Sequence, residues 1–213
     1  MENTLELYNI TKKYGKNKVL DGVNYQFKKG LYGIIGPNGA GKSTLLDIIT
    51  TAIMPTGGEV RYNGVDIYRN KDYRKYIAYV PQQQKMFEEF TGRQYLGYFA
   101  ALKGLKGKKV KGIIDKVLED VNLTEAADKR IKSYSGGMKQ RILIAQAFMT
   151  EFEILILDEP TVGLDPEERF RFKEIINEYA NDKIVIMTTH ILSDIEKMTD
   201  KIIVMNKGVL KII

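Results

Sequence analysis

Residues 36–43 read Gly-Pro-Asn-Gly-Ala-Gly-Lys-Ser, and Thr44 follows. The run Leu31 to Ile35 before them is apolar and leads straight into Gly36, which predicts a buried strand. Thr44 to Thr51 after them predicts a helix. A strand, a glycine-rich loop and a helix in that order limit the fold more than any other feature of the chain. The glycines let the backbone curl until successive N–H groups point inward, a shape that cradles anionic oxygens. The helix start adds its positive end. Gly36, Asn38, Gly39, Ala40, Gly41 and Thr44 are therefore candidate phosphate contacts. Lys42 is placed to reach the β- and γ-phosphates of a nucleotide, and the Ser43 hydroxyl to ligate magnesium.

This loop alone leaves GTPases, kinases and ATPases open. A GTPase would read guanine with Asn-Lys-x-Asp, and the nearest candidate, Asn206-Lys207-Gly208-Val209, has valine where the aspartate belongs. Composition narrows the chemistry further. The chain has no cysteine and a single histidine, His190. That excludes thiolate metal sites, centres built on several histidines and a Cys–His nucleophile pair. Chemistry here must rest on carboxylates, lysines, hydroxyls and backbone amides. The 213 residues, 44% hydrophobic and 28% charged, suit a soluble globular protein with a sizeable core. The net charge of +6 reads as a solvated lysine-rich surface. No stretch approaches the roughly 20 apolar residues of a helical membrane span. The N-terminal residues lack the basic and apolar regions of a signal peptide, so a cytoplasmic protein is expected.

Along the chain, Thr4 to Ile10 and Val19 to Phe27 read as strands, with turn residues Gly15 to Asn17 between them. Glu59 to Ile67 reads as a hairpin around Asn63-Gly64. From Glu88 to Ala147 the spacing turns helical, with Leu96, Phe99 and Ala100, then Ile113, Ile114, Val117 and Leu118, at i, i+3, i+4 steps. Lys103 to Gly112, rich in lysine and glycine, reads as a loop. Buried strands return at Ile154 to Leu157 and Lys183 to Thr188, separated by a helix over Pro166 to Tyr179. A last hairpin joins Ile202–Met205 to Val209–Ile213 around Asn206-Lys207-Gly208.

The strand Ile154 to Leu157 ends in Asp158-Glu159-Pro160. An aspartate at such a strand end holds magnesium, directly or through water. Glu159, one residue on, could accept a proton from water. A second glycine loop, Ser135-Gly136-Gly137, opens the apolar helix Ile142 to Phe148. By itself it could be a second anion site or a simple N-cap with flexible neighbours.

In this order the motifs resemble those of the ATP-binding cassette (ABC) family over nearly the whole chain. Gly36 to Thr44 matches the Walker A loop, and Ile154 to Glu159 the Walker B strand with its catalytic glutamate. Gln82, in Tyr79-Val80-Pro81-Gln82, matches the Q-loop. Ser135-Gly136-Gly137 matches the signature Leu-Ser-Gly-Gly-Gln, although Tyr134 stands for leucine and Met138 for glutamine. Gly163-Leu164-Asp165 resembles the D-loop, and His190 the switch histidine. Tyr14 sits where the family places an aromatic that stacks on adenine.

The resemblance implies an α/β fold: a RecA-like P-loop core with a mainly parallel sheet, an N-terminal antiparallel β subdomain and an inserted helical subdomain. It implies one cassette over 1–213, divided near 1–87, 88–147 and 148–213. The implied cofactors are ATP and Mg2+. Ser43, Gln82 and Asp158 would attend the metal, and Glu159, His190 and Gln82 the hydrolysis. Two cassettes would stack head to tail, each P-loop facing the other's signature, with Asp165 crossing toward the partner's site.

The leading expectation is the ATPase subunit of a transporter, similar to prokaryotic exporters. It would sit on the inner membrane face through separate permease subunits that dock near Phe87 to Phe90. The alternative is a soluble cassette protein acting on ribosomes or DNA. Translation relatives usually carry two cassettes and chromosome relatives a long coiled coil, so no nucleic-acid partner is expected. A small-molecule kinase would share the P-loop but leave Ser135 to Gly137 and His190 unexplained.

Overall fold

The computed structural model describes residues 3–82, 84–196, 198–199 and 201–212. In chain order the first elements are β1 (Leu5–Tyr14), β2 (Asn17–Phe27), β3 (Gly30–Ile35), α1 (Lys42–Ile49), β4 (Gly57–Tyr62), β5 (Val65–Asp66) and β6 (Ile77–Val80). Then come α2 (Gly92–Leu102), α3 (Lys109–Asp120), α4 (Gly136–Phe148) and β7 (Ile154–Asp158). The chain closes with α5 (Pro166–Ala180), β8 (Ile184–Thr189), α6 (Leu192–Ile195), β9 (Ile202–Asn206) and β10 (Val209–Ile212). They divide between two compact units: Met1–Pro81, Phe152–Pro160 and Ile176–Ile213 form one, Gln82–Glu151 and Thr161–Ile175 the other.

The first unit holds both sheets. Among the described residues, one is a four-stranded sheet in the order β2-β1-β4-β5, with antiparallel pairs throughout. Strand β1 runs past the expected Ile10. Its polar–apolar alternation breaks at Asn9, whose φ of 50° coincides with a shift of register, and pairing resumes to Tyr14. The Asn63-Gly64 turn takes positive φ at both residues, the geometry an Asn-Gly hairpin favours.

The second sheet has the order β10-β9-β3-β8-β7-β6. All its pairs are parallel except β9 with β10. Ile154 to Leu157 and Ile184 to Met187 are fully buried, as strands covered on both faces must be. This order sets β3, β8 and β7 side by side and parallel. The loops after Ile35, Asp158 and Thr189 therefore leave the same edge of the sheet, the edge where open α/β sheets bind ligands. Strand β6 lacks an obvious sequence signal: four residues, squeezed between the charged turn Tyr73–Tyr76 and Pro81. The last hairpin forms as expected; Ile213 lies outside the described residues.

The second unit is helical. Thr91 caps α2 by accepting from the Gln94 amide at 3.2 Å, while Gln94 Oε1 accepts from the Thr91 amide at 2.9 Å. The expected loop over Lys103 to Gly112 is shorter than the composition suggested. Helix α3 starts at Lys109, because the apolar stripe of Ile114, Val117 and Leu118 is buried and carries the turn through Gly112. Tyr95, fully buried on α2, donates to Gln146 Oε1 on α4 at 2.8 Å.

Candidate nucleotide site

The loop after β3 is shaped by close approach. A Cβ on Gly36 would lie 2.3 Å from the Met205 carbonyl oxygen. One on Gly41 would lie 3.0 Å from the Val19 carbonyl oxygen, and Gly41 holds φ of 108°. Only glycine fits either place. Gly41 is also the N-cap of α1 and supplies no side-chain cap. The first N–H groups of this eight-residue helix therefore have no side-chain acceptor at the cap, the arrangement that receives an anion. Ala40 closes the loop by donating to the Pro37 carbonyl at 3.1 Å. Asn38 and Gly39 are exposed on the loop's crown, Ser43 is exposed and Thr44 is half-buried.

Lys42 points back under the loop, 5% exposed. Its ammonium donates to the Gly36 carbonyl at 2.8 Å and the Pro37 carbonyl at 3.3 Å, and stands 3.4 Å from Glu159 Oε1. A buried ammonium needs such partners, since an unpaired charge at that depth is costly.

At the neighbouring strand ends, Asp158 and Glu159 are 5% and 7% exposed. Glu159 sits at φ of 48°, a left-handed conformation that a glutamate adopts only under constraint. Its amide donates to Thr188 Oγ1 at 3.0 Å and to the Thr188 carbonyl at 3.2 Å. The Thr188 hydroxyl in turn donates to Asp158 Oδ1 at 2.6 Å. Two residues on, His190 Nδ1 lies 2.8 Å from Glu159 Oε2. The two oxygens of one carboxylate are thus shared between Lys42 and His190. Asp47, half-buried on α1, has its carboxyl pushed up by burial first and by the negative charge of Asp158 second. The Tyr79 hydroxyl is pushed up to about 12 by burial, then by Asp158 and Asp47.

The structure therefore gathers Gly36 to Thr44, Asp158, Glu159 and His190 in one unit. Sequence reasoning overlooked Thr188, whose only signal was a polar residue closing an apolar strand. Tyr14 sits in the hairpin whose Val19 lies against Gly41; its ring is half-exposed, with Lys12 Nζ 5.1 Å from its centroid.

Gln82, Ser135, Gly136, Gly137 and Asp165 belong to the other unit. Gln82 is exposed just after β6. Ser135 is the N-cap of α4: it accepts from the Met138 amide at 3.1 Å and donates to Glu168 Oε1 at 3.0 Å. Gly137 lies so close to Glu168 that a Cβ would meet its carboxylate at 1.9 Å. Asp165 Oδ1 accepts from the Glu168 amide at 2.8 Å, capping α5.

Comparison with known proteins matches residues 20–162 to the family described as ABC transporter. The chain belongs to the ABC transporter family, as an ATP-binding cassette. It is 36% identical over 207 residues to the linearmycin resistance ATP-binding protein LnrL of Bacillus subtilis, covering 96% of this chain and 67% of that protein. It is 35% identical over 205 residues to an uncharacterized ABC transporter ATP-binding protein, YxlF, of the same species, covering 96% and 68%. A solved structure of an ATP-binding subunit of an ABC transporter superposes with a TM-score of 0.83 at 30% identity, covering 97% of this chain and 88% of that one. The chain spans 62% to 68% of the length of several bacterial relatives and 23% of a Dictyostelium discoideum one. The fold is the α/β P-loop cassette that the motifs implied.

Within this cassette, the signature's departure at Tyr134 is accommodated. The ring is buried and its hydroxyl donates to the Ala126 carbonyl at 2.7 Å. Gly92 makes room for it, since a Cβ there would lie 2.3 Å from the Tyr134 oxygen.

Proposed function

We propose that the cassette binds ATP with magnesium and hydrolyses it, with Glu159 taking the proton of the attacking water. One observation carries this reading: Lys42 and His190 hold the two oxygens of a buried carboxylate, at 3.4 and 2.8 Å. His190 would keep this carboxylate oriented for proton transfer when Lys42 turns to the phosphates. Lys42 can exchange Glu159 and two carbonyls for phosphate oxygens, which are stronger partners for an ammonium. His190, donating from Nδ1 to Glu159, leaves Nε2 to face the phosphate or the water.

The donor set also suits magnesium. Ser43 and Asp158 offer one hydroxyl and one carboxylate, and no group of three or more His, Cys, Asp or Glu among the described residues is arranged to hold a metal ion by itself. Mg2+ takes few protein oxygens and completes its shell with water and phosphate. When bound, it would supply charge neutralisation on the phosphates. Gln82 would contribute its amide oxygen, and Tyr14 its ring against adenine.

The second unit supports an ATP sandwich. Ser135, Gly136 and Gly137 at the start of α4 would meet the nucleotide of a second cassette, with Asp165 reaching across. Separate permease subunits would supply the transmembrane path; no helix among the described residues is long and apolar enough to cross a membrane. In this reading the cassette would work from the cytoplasmic face, held there by those permease subunits. Phe87 and Tyr98, both exposed and 5.1 Å apart between centroids, offer an aromatic landing place for the permease. A relative named for linearmycin resistance and others named for Nod factor export favour export.

Phosphate release from Mg·ATP, measured beside nucleotide binding, tests the reading. The parent should hydrolyse ATP, and Lys42→Ala should lose nucleotide affinity itself. A parent without ATPase activity, or Lys42→Ala with full affinity, contradicts it.

A further inference from the structure

We propose that Thr188 is a positioning residue for the reaction: one hydroxyl fixes both the metal-side acid and the base. This rests on the roles proposed above for Asp158 and Glu159. Thr188 stands directly across the parallel ladder from Asp158 and is fully buried. Its neighbours on β8, Ile184 to Met187, are apolar and equally buried. Valine would fill the same space with the same strand preference, so shape alone does not call for threonine.

The hydroxyl has two tasks. Its single proton goes to Asp158 Oδ1 at 2.6 Å, and a lone pair receives the Glu159 amide at 3.0 Å. The first bond prevents the Asp158 carboxylate from rotating about Cβ–Cγ. The second braces the left-handed backbone of Glu159, whose φ of 48° decides where its carboxylate goes. That carboxylate is the one shared by Lys42 and His190. Without the hydroxyl, Asp158 loses a partner at depth, and the Glu159 amide is left with its longer bond, to the Thr188 carbonyl at 3.2 Å. Both groups would then sample wrong orientations, which for outer-shell partners of a metal site costs about ten- to a hundredfold.

Thr188→Ser and Thr188→Ala form the deciding pair, because both lack the methyl and differ only by the hydroxyl. Thr188→Val tests the same loss with volume kept. Two quantities are read: kcat against KM for ATP, and the affinity for Mg2+ titrated calorimetrically into protein loaded with a non-hydrolysable ATP analogue. Ala and Val should lose about ten- to a hundredfold in kcat and in Mg2+ affinity, and Ser should stay within a few-fold of the parent. Affinity for the analogue without magnesium should barely move in any variant. If Val does not fold, the Ser–Ala comparison still decides. Equal kcat and equal Mg2+ affinity in Ser and Ala overturn the proposal. Glu159→Gln, assayed alongside, separates the layers. If it is inactive while Ala matches Ser, the Thr188 role alone fails; if it is as active as the parent, the base assignment itself fails.

Discussion

Lys42 Nζ and Glu159 Oε1 stand 3.4 Å apart with both side chains nearly sealed from solvent. The P-loop lysine is thus paired internally with the carboxylate that the proposed chemistry needs. Lys42 also spends hydrogen bonds on the Gly36 and Pro37 carbonyls. A nucleotide's phosphates would take over those contacts and release Glu159 from its lysine. Binding and activation of the base are then one event.

The same pair predicts a stability effect. Lys42→Met leaves Glu159 buried beside His190, 2.8 Å away, with its lysine gone. Breaking one side of a buried pair costs about 3 kcal/mol. Urea denaturation of the nucleotide-free protein should show a loss of that order, and a loss under about 1 kcal/mol would mean that the pair is weak.

Asp47 predicts a dependence on pH. Its carboxyl is raised above the ordinary 3.8 by burial and by Asp158, so the folded state favours the protonated form. Its contribution to stability is present below about 3.8 and is lost as pH rises through the raised value. At neutral pH the charged carboxylate therefore strains the fold. Asp47→Asn should raise stability at pH 7 and show no gain at pH 3.5 and below, about the ordinary aspartate range. A variant less stable than the parent at pH 7 would contradict this sign.

Gly137 and Glu168 should be coupled. The carboxylate occupies the space that a Cβ at 137 would need, so Gly137→Ala must push it off Ser135. The lost hydrogen bond costs about 1 kcal/mol. In a Glu168→Ala background, Gly137→Ala should cost little. Additive losses in that double-mutant cycle would place the strain elsewhere.

Tyr73 is fully buried and its hydroxyl has no hydrogen-bond partner among the described residues. Tyr73→Phe removes a polar group that gains nothing from burial. Thermal or urea unfolding should show a variant at least as stable as the parent, and a loss above about 1 kcal/mol would reveal a partner for the hydroxyl.

Much of the site was legible in the sequence because its motifs are local. The curl of Gly36 to Gly41 and the acidic end of Ile154 to Asp158 each depend on adjacent residues. So did the Asn63-Gly64 hairpin, whose turn needs only its own positive φ angles. What escaped was set by register. Thr188 reads as one more β-branched strand residue until β8 is laid beside β7 with Asp158 opposite, 30 residues away in sequence. Strand β6 escaped because four residues are too few to show a period. Glu168 sits three residues after the cap Asp165, where local chemistry would turn its side chain back to the cap. Its carboxylate instead holds Ser135, across 33 positions of sequence.

If Glu159 takes the proton of the attacking water, removing its basicity must stop turnover. Steady-state phosphate release from Mg·ATP is compared between the parent and Glu159→Gln, with ATP binding measured on the same samples. The amide keeps the shape of the side chain but cannot accept the proton. Hydrolysis should fall by at least about a hundredfold, ATP affinity should be retained, and an ATP-bound dimer should accumulate because it no longer turns over. Hydrolysis by Glu159→Gln at the parent rate would contradict the base assignment.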